Sequence, residues 1–233
     1  MTEEAVRLSK RVAALVPCSR ADAERYIEGG WVRVDGVITD QPQERVRPGQ
    51  AVSLDAGASL LALAPLTLLL HQPAGADPVL PPPEQRWASD SGPRVTPSQL
   101  RQLQPLMPLP PGAGGLAVYS QDRRVLRKLT QDANFVEQEL LVDVTGHLAE
   151  GGLARLSHGL VLRGQPLPPI RASWQSEQRL RLAIKGLDPV HVGWMCAQVG
   201  LQLVQLRRLR LGRVPLAGLP QGQWRTLLPH ERF

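Results

Sequence analysis

Along residues 7 to 36, RLSKRVAALVPCSRADAERYIEGGWVRVDG, the spacing of apolar and polar positions changes from helical to extended. Leu8, Val12, Ala13 and Leu15 follow the i, i+4, i+7 rhythm of a half-buried helix that opens on Arg7, Lys10 and Arg11. Pro17 ends it. Ser19 then caps a second helix over Arg20 to Glu28, with Asp22 in the first turn where a negative charge suits the helix dipole. Gly29 and Gly30 stop that helix, and Val32, Val34 and Asp35-Gly36 read as a strand entering a hairpin. Val37-Ile38 and Ala51 to Leu54 supply further strands, with Pro48-Gly49 as the turn between them. Two short helices leave Lys10, Ser19, Arg20 and Arg25 pointing at one external surface. Ser19 also marks a helix N-terminus, whose N–H groups can hold a phosphate.

Asp55 to Ser59 is a run of small residues, which puts a domain boundary near residue 58 and divides the chain into 1–57 and 62–233. Leu66 to Leu70 is a continuous apolar run suited to a fully buried strand. Residues 73–97 are rich in proline and read as an irregular surface loop. Gly114 to Ser120 is turn then strand. Asp122 to Thr130 is a helix with Val125, Leu126 and Leu129 inward and Arg123, Arg124, Arg127 and Lys128 outward. Phe135 to Thr145 alternates as a strand, Leu153 to Gly159 is a short helix, and Arg179 to Ile184 is a strand with one solvated face. Val190 to Gly200 is a helix. Leu201 to Leu211 is a strand, bulged near Gln205, laying Arg207, Arg208 and Arg210 along one face. Strands outnumber helices, so the second part is expected to be α+β on a mixed, mainly antiparallel sheet.

The net charge of +6 favours a polyanionic partner. The excess sits late: Arg171, Arg179, Arg181, Lys185, Arg207, Arg208, Arg210 and Arg213 face only Glu177 and Asp188 over that stretch. Cys18 and Cys196 are lone thiols, with neither a disulfide framework nor zinc-ligand spacing, so no metal is expected. The opening MTEEAVRLSK is acidic where a secretion signal needs a basic start, and Leu60 to Leu70 is broken by Pro65 and too short to span a bilayer. A cytoplasmic, monomeric protein without membrane contact is expected. Trp31 and Trp174 could stack on bases, with packing the plainer role for both.

Three pieces of the opening stretch resemble the small alpha-L RNA-binding module first named for ribosomal small-subunit protein four. They are R-L-S-K, the turn-helix of Ser19, Arg20, Ala23 and Ile27, and G-x-V-x-V-D-G at Gly30, Val32, Val34, Asp35 and Gly36. Ser9 stands where that family has Asp. Behind it, the chain resembles the RsuA-like pseudouridine synthases that modify ribosomal RNA. Leu68 to Gly75, Gly115 to Leu129, Val136 to Val144 and Leu203 to Thr226 are similar to successive family motifs; the last carries Leu206, Arg208, Arg210, Leu211, Gly212, Leu216, Leu219, Pro220, Gly222, Trp224 and Arg225. The resemblance implies isomerisation of uridine without cofactor or metal, an aspartate attacking a base flipped from its stack.

Aligned on Gly115-Leu116, the nucleophile's place falls on Pro110 and the neighbouring arginine's on Pro108. The base-contacting tyrosine falls at Leu140, the lysine before it at Gln138, and the family's basic helix start at Lys185 to Met195, where its arginines are absent. Proline offers neither nucleophile nor ionisable group. The expectation is therefore a binder of structured RNA, ribosomal RNA or pre-ribosomal particles, on a synthase scaffold without catalysis. The resemblance and the charge pattern put its phosphate contacts on Arg7, Lys10, Ser19, Arg20, Arg25 and Arg33, and on Arg123, Arg124, Lys128, Lys185, Arg207, Arg208 and Arg210. The alternative enzyme needs a displaced acid from residues 76–97, where Asp90 stands without a visible partner; Asp122 matches a structural aspartate of the family. A third possibility, a cleft that binds a peptide, draws on the apolar Pro110, Leu140 and Trp194.

Overall fold

The computed structural model describes residues 4–77, 79–80 and 82–233; Pro78 and Pro81 of the expected proline-rich loop lie outside them. Contacts divide the chain into two compact units, residues 1–66 with 93–103, and residues 67–92 with 104–233. This differs from a division near residue 58. The proline-rich stretch starts in the second unit, and its end returns to the first.

In the first unit, β1 (Val6–Arg7) leads into α1 (Leu8–Leu15), and Ser19 caps α2 (Arg20–Glu28) by accepting from the Asp22 backbone N at 3.0 Å. β2 (Val32–Val34) pairs antiparallel with β3 (Val37–Ile38), while β4 (Arg45–Val46) pairs with β1. β5 (Val52–Leu54) completes the sheet on the other edge of β2. Leu8, Val12, Ala23, Ile27, Val32, Val34 and Val46 form the core, as the helical and two-residue periodicities require. The returning segment builds α3 (Pro97–Arg101) behind a Thr96–Gln99 capping box. It is fastened by specific bonds: the Ser98 N–H donates to Asp40 at 2.5 Å, Gln99 donates to the Ala64 carbonyl at 3.0 Å, and Arg94 reaches Asp55 at 2.8 Å and also the Gly30 carbonyl. Proline content hid this order, because a capped helix needs only five residues here and has no apolar period to show.

The second unit is built on one large sheet. β6 (Thr67–Gln72), β7 (Gln104–Leu106), β8 (Gly114–Ser120) and β9 (Gln138–Gly146) come first, with α4 (Arg123–Thr130) between the last two. After β9 come α5 (Gly152–Ser157) and the hairpin of β10 (Val161–Leu162) and β11 (Gln165–Pro166). They are followed by β12 (Arg171–Ser176), β13 (Arg179–Ile184) and α6 (Val192–Ala197), then β14 (Leu201–Leu211), β15 (Val214–Pro215) and β16 (Trp224–Thr226). The sheet order is β12-β13-β9-β14-β8-β6-β16, with β15 on β14 and β7 on β8. Among the described strands β14 and β8 pair in parallel and the rest antiparallel, with an isolated parallel bridge from Arg86 to Trp224, so the α+β class with a mainly antiparallel sheet holds. Gly115 permits that pairing. It has φ +102°, and a Cβ there would lie 2.3 Å from the Arg208 carbonyl oxygen.

Some boundaries differ from the sequence reading for local reasons. A 3₁₀ turn over Ala133–Phe135 delays β9, and another over Pro189–His191 precedes α6 because Pro189 suits the first helical turn. One apolar cluster joins Leu140, Val142, Leu180, Leu182, Val192 and Met195 under α5 and α6. A second joins Leu69, Leu116, Val118, Leu129 and Leu211 under α4. Among the described residues no helix is long and apolar enough to cross a membrane.

Candidate functional site

On the first unit, the polar ends of α1 and α2 bring cations together. Arg7, Lys10, Arg20 and Arg45 line a hollow of about 390 Å³ with Glu4, Ser9 and Ala13, four cations to one carboxylate. Arg7 and Arg20 also border a neighbouring hollow of about 250 Å³ with Glu24, Glu28 and Gln43. Arg7, Lys10 and Arg20 are exposed, and Arg20 bonds Glu24 at 3.1 Å. Arg45 was missed in the sequence because β4 is only two residues long. Its guanidinium donates to the Ala5 carbonyl at 3.1 Å, which fixes it beside Arg7.

The other expected contacts of this unit are committed elsewhere. The Ser19 hydroxyl donates to Asp22 at 2.7 Å while accepting the cap bond. Arg25 sits 3.7 Å from Asp22 and borders a separate hollow with Leu60 to Leu63. Arg33 donates to Asp55 at 2.9 Å, and that bond chiefly holds the Asp55 carboxyl below the usual carboxylate range. Trp31 carries the Arg94 guanidinium over its ring, 4.2 Å from the centroid.

On the second unit, the structure sorts the arginines into paired and free. Arg210 bonds Glu137 at 2.6 Å and Glu139 at 3.0 Å; Arg171 bonds Glu137 at 2.7 Å, Arg181 pairs with Glu139, and Arg179 pairs with Asp143. Neighbouring strands thus neutralise one another's charges across the solvent face. The Arg210 hydrogen bond is the main reason Glu137 titrates low. At Glu139, burial works upward, but bonds from Arg210 and Arg181 outweigh it, and the carboxyl also titrates low.

Arg208 corrects the expectation of an arginine row. A register shift between Arg208 and Arg210 puts Arg208 opposite Leu140 and Arg210 opposite Glu139, on opposite faces. Arg208 is completely buried and cannot touch a phosphate. Its guanidinium donates to the Leu116 carbonyl at 2.7 Å, the Met107 carbonyl at 2.7 Å and Gln138 Oε1 at 3.0 Å, while Nη2 has no partner among the described residues. Burial pushes its pKa down to about 10, so it stays charged at neutral pH. Arg123, Arg124, Lys185 and Arg207 are exposed, and Lys128 lies 3.7 Å from Asp132.

Arg208 holds the loop on which the reaction's nucleophile was expected. Met107 has φ +45°, a strained value for its side chain, and its carbonyl is the one Arg208 grips. Pro110 is half-buried, and its carbonyl accepts from the Ala113 N–H at 3.0 Å. Met107 and Pro108 line a hollow of about 230 Å³ with Ala133, Asn134, Gln138, Gly186, Leu187, Asp188 and Pro189. No lysine, arginine or tyrosine is among those residues. Asp188 is its carboxylate: exposed, and accepting from the Val190 N–H at 2.9 Å as the cap of the 3₁₀ turn.

The acids raised by the sequence lie in structural roles. Asp90 is not partnerless: it bonds Arg86 at 2.8 Å and accepts from the Thr226 hydroxyl at 3.0 Å and the Gly92 N–H at 3.0 Å, with its side chain 1% exposed. Asp122 caps α4 by accepting from the Arg124 N–H at 2.8 Å. Leu140 is fully buried in the core and Trp194 packs against it, so two of the apolar residues that suggested a peptide cleft are core instead.

Residues 6–52 match the S4 domain. Across 99% of the chain and 78% of its own length, the dual-specificity RNA pseudouridine synthase RluF of Escherichia coli is 26% identical. The ribosomal small subunit pseudouridine synthase A of Salmonella typhimurium is 26% identical across 97% of this chain and 98% of its own. An uncharacterised RNA pseudouridine synthase of Aquifex aeolicus is 25% identical across 97% and 94%. A crystal structure of a pseudouridylate synthase superimposes with a TM-score of 0.57 at 22% identity, covering 96% of both chains, which establishes the likeness of fold. The chain therefore carries an S4 domain at its N-terminus and is similar, along its whole length, to the RNA pseudouridine synthases of the RluF and RsuA type.

Proposed function

We propose that the protein binds structured RNA, ribosomal RNA or pre-ribosomal particles first, and does so as a cytoplasmic monomer without isomerising uridine. The observation that carries this reading is Pro110 at the place of the nucleophile, two residues after Pro108 on the wall of a hollow lined by no lysine, arginine or tyrosine. A nucleophile in such a cleft needs a neighbouring cation to stay ionised and a ring to hold the extruded base. The lining supplies neither. Binding falls instead to the cations between α1 and α2, Arg7, Lys10, Arg20 and Arg45. Gel-shift titrations against ribosomal RNA fragments at rising salt test it. Affinity is expected to fall steeply with salt, and the variant R7Q/K10Q/R20Q to lose most of it. RNA carrying 5-tritiated uridine is expected to release no tritium.

A second reading keeps the enzyme. Asp188 is exposed and lines the hollow, so it is the carboxylate available to a flipped base. Tritium release by the parent chain, abolished by D188N, would establish this reading and end the first.

A further inference from the structure

We infer that α4 forms a second RNA-contacting surface, on the synthase-like unit, that takes backbone phosphates of an RNA helix on Arg123, Arg124 and Arg127. The inference rests on the reading that this chain binds RNA, and adds where its second unit does so. Its basis is the contrast between arginines that have found carboxylates and arginines that have not.

α4 buries Leu129 and packs Val125 and Leu126 against the core, so its cations face outward. No acidic residue lies within the helix, and the cap residue Asp122 is engaged by the Arg124 backbone. Arg123, Arg124 and Arg127 are exposed and form no ion pair with a described residue. Arg123 and Arg127, like Arg124 and Lys128, stand at i, i+4, where like charges repel by a few tenths of a kcal/mol each. A bound polyanion offsets that repulsion with its own attraction to each cation. Arginine also suits phosphate, because its guanidinium can give two parallel hydrogen bonds.

The surface extends beside α4 into a hollow of about 310 Å³ that Arg124 and Lys128 share with Arg232. Glu231 on its wall is already held by Arg225, through two bonds of 2.7 Å, and by the Leu228 N–H at 2.9 Å. Asp122 also lines it and accepts from the Arg124 N–H at 2.8 Å, so three cations stand there against two carboxylates that are already bonded. By contrast, Arg171, Arg179, Arg181 and Arg210 on the sheet each pair with a carboxylate of β9 or the residue before it. An acidic protein could also meet such a face; the S4 match over residues 6–52 favours RNA.

The test compares the full chain with R123Q/R124Q/R127Q, glutamine being chosen because it preserves helix propensity. A control, R171Q/R179Q/R181Q, removes the same charge from paired positions. Each is titrated with a ribosomal RNA fragment at several salt concentrations, after circular dichroism has confirmed parental helix content. The α4 variant is expected to lower the slope of log affinity against log salt by about 2, as loss of three phosphate contacts should. The control should leave the slope unchanged, and the S4 face should retain residual binding. A parental slope in the α4 variant, or an equal fall in both variants, overturns the inference. So does an unchanged RNA slope with lost affinity for polyglutamate, which would assign the face to an acidic protein. Failure of the parent chain to bind RNA would overturn the proposed function as well, which separates the two.

Discussion

Replacing Arg208 by methionine separates the internal role seen in the structure from the phosphate contact that the sequence suggests. Methionine keeps much of the stem's volume but removes the guanidinium. Three acceptors then lose this donor: the buried Leu116 carbonyl and Gln138 Oε1, and the partly buried Met107 carbonyl. At about 2 kcal/mol for each stranded polar group, the loss is about 6 kcal/mol. Against it stands relief of a buried charge with no carboxylate beside it. The fall from 12.5 to about 10 corresponds to about 3 kcal/mol of forfeited solvation. The net expectation is destabilisation of about 3 kcal/mol, or a Tm lower by about 6–12 °C for a chain of this size. Urea unfolding followed by circular dichroism measures it, with R207M, at an exposed position, expected within about 0.5 kcal/mol of the parent. The salt slope of RNA binding should not move. A stable R208M with a shallower slope would refute the reasoning and return Arg208 to the RNA surface.

Gly115→Ala should destabilise the second unit by about 3 kcal/mol or more, seen as a lower Tm, since its Cβ would lie 2.3 Å from the Arg208 carbonyl oxygen with φ at +102°. Glu137 and Glu139 titrate below their ordinary 4.5 in the folded chain, so their contribution is complete above pH 4.5 and is lost as pH falls through their folded values. The melting temperature should therefore hold between pH 7 and 5.5 (about the range of full ionisation) and drop below pH 4.5, with E139Q showing a shallower drop. Arg94→Ala removes the cation over Trp31 and donors to Asp55 and the Gly30 carbonyl. It should cost about 1–3 kcal/mol and expose 93–103 to early cleavage in limited proteolysis.

What the sequence reveals depends on how far each signal reaches. Caps and periods act within a few residues, so Ser19 before α2 and the inward Val125, Leu126 and Leu129 of α4 were legible. Pairing across strands was not, because it joins residues far apart. Glu137 and Glu139 read as ordinary strand positions, yet they neutralise arginines from β12, β13 and β14. Arg208 shows the same limit: one register shift in β14 decides whether an arginine meets water or those three acceptors. The return of 93–103 to the first unit had no sequence signal, since Arg94, Thr96 and Gln99 declare nothing until Asp55, Gly30 and Ala64 are beside them.

The residues that make the second unit's frame are not, in the main, those that line its hollow. Gly115 sets the parallel pairing, Trp224 donates to the Pro82 carbonyl at 3.0 Å, and Arg225 locks Glu231. None of them lines the hollow formed by Met107, Pro108, Asn134, Leu187 and Asp188. Gln138 on that wall is tied to the frame through Arg208, whereas the exposed Pro108 and Asn134 can change at little cost to the fold. The chain's similarity to RNA pseudouridine synthases runs along its whole length, frame included. Among the residues lining the hollow, Asp188 is the carboxylate on which the isomerase reading turns. Tritium release that D188N abolishes would make Asp188 the attacking group, and no release from the parent chain would leave the hollow to binding alone.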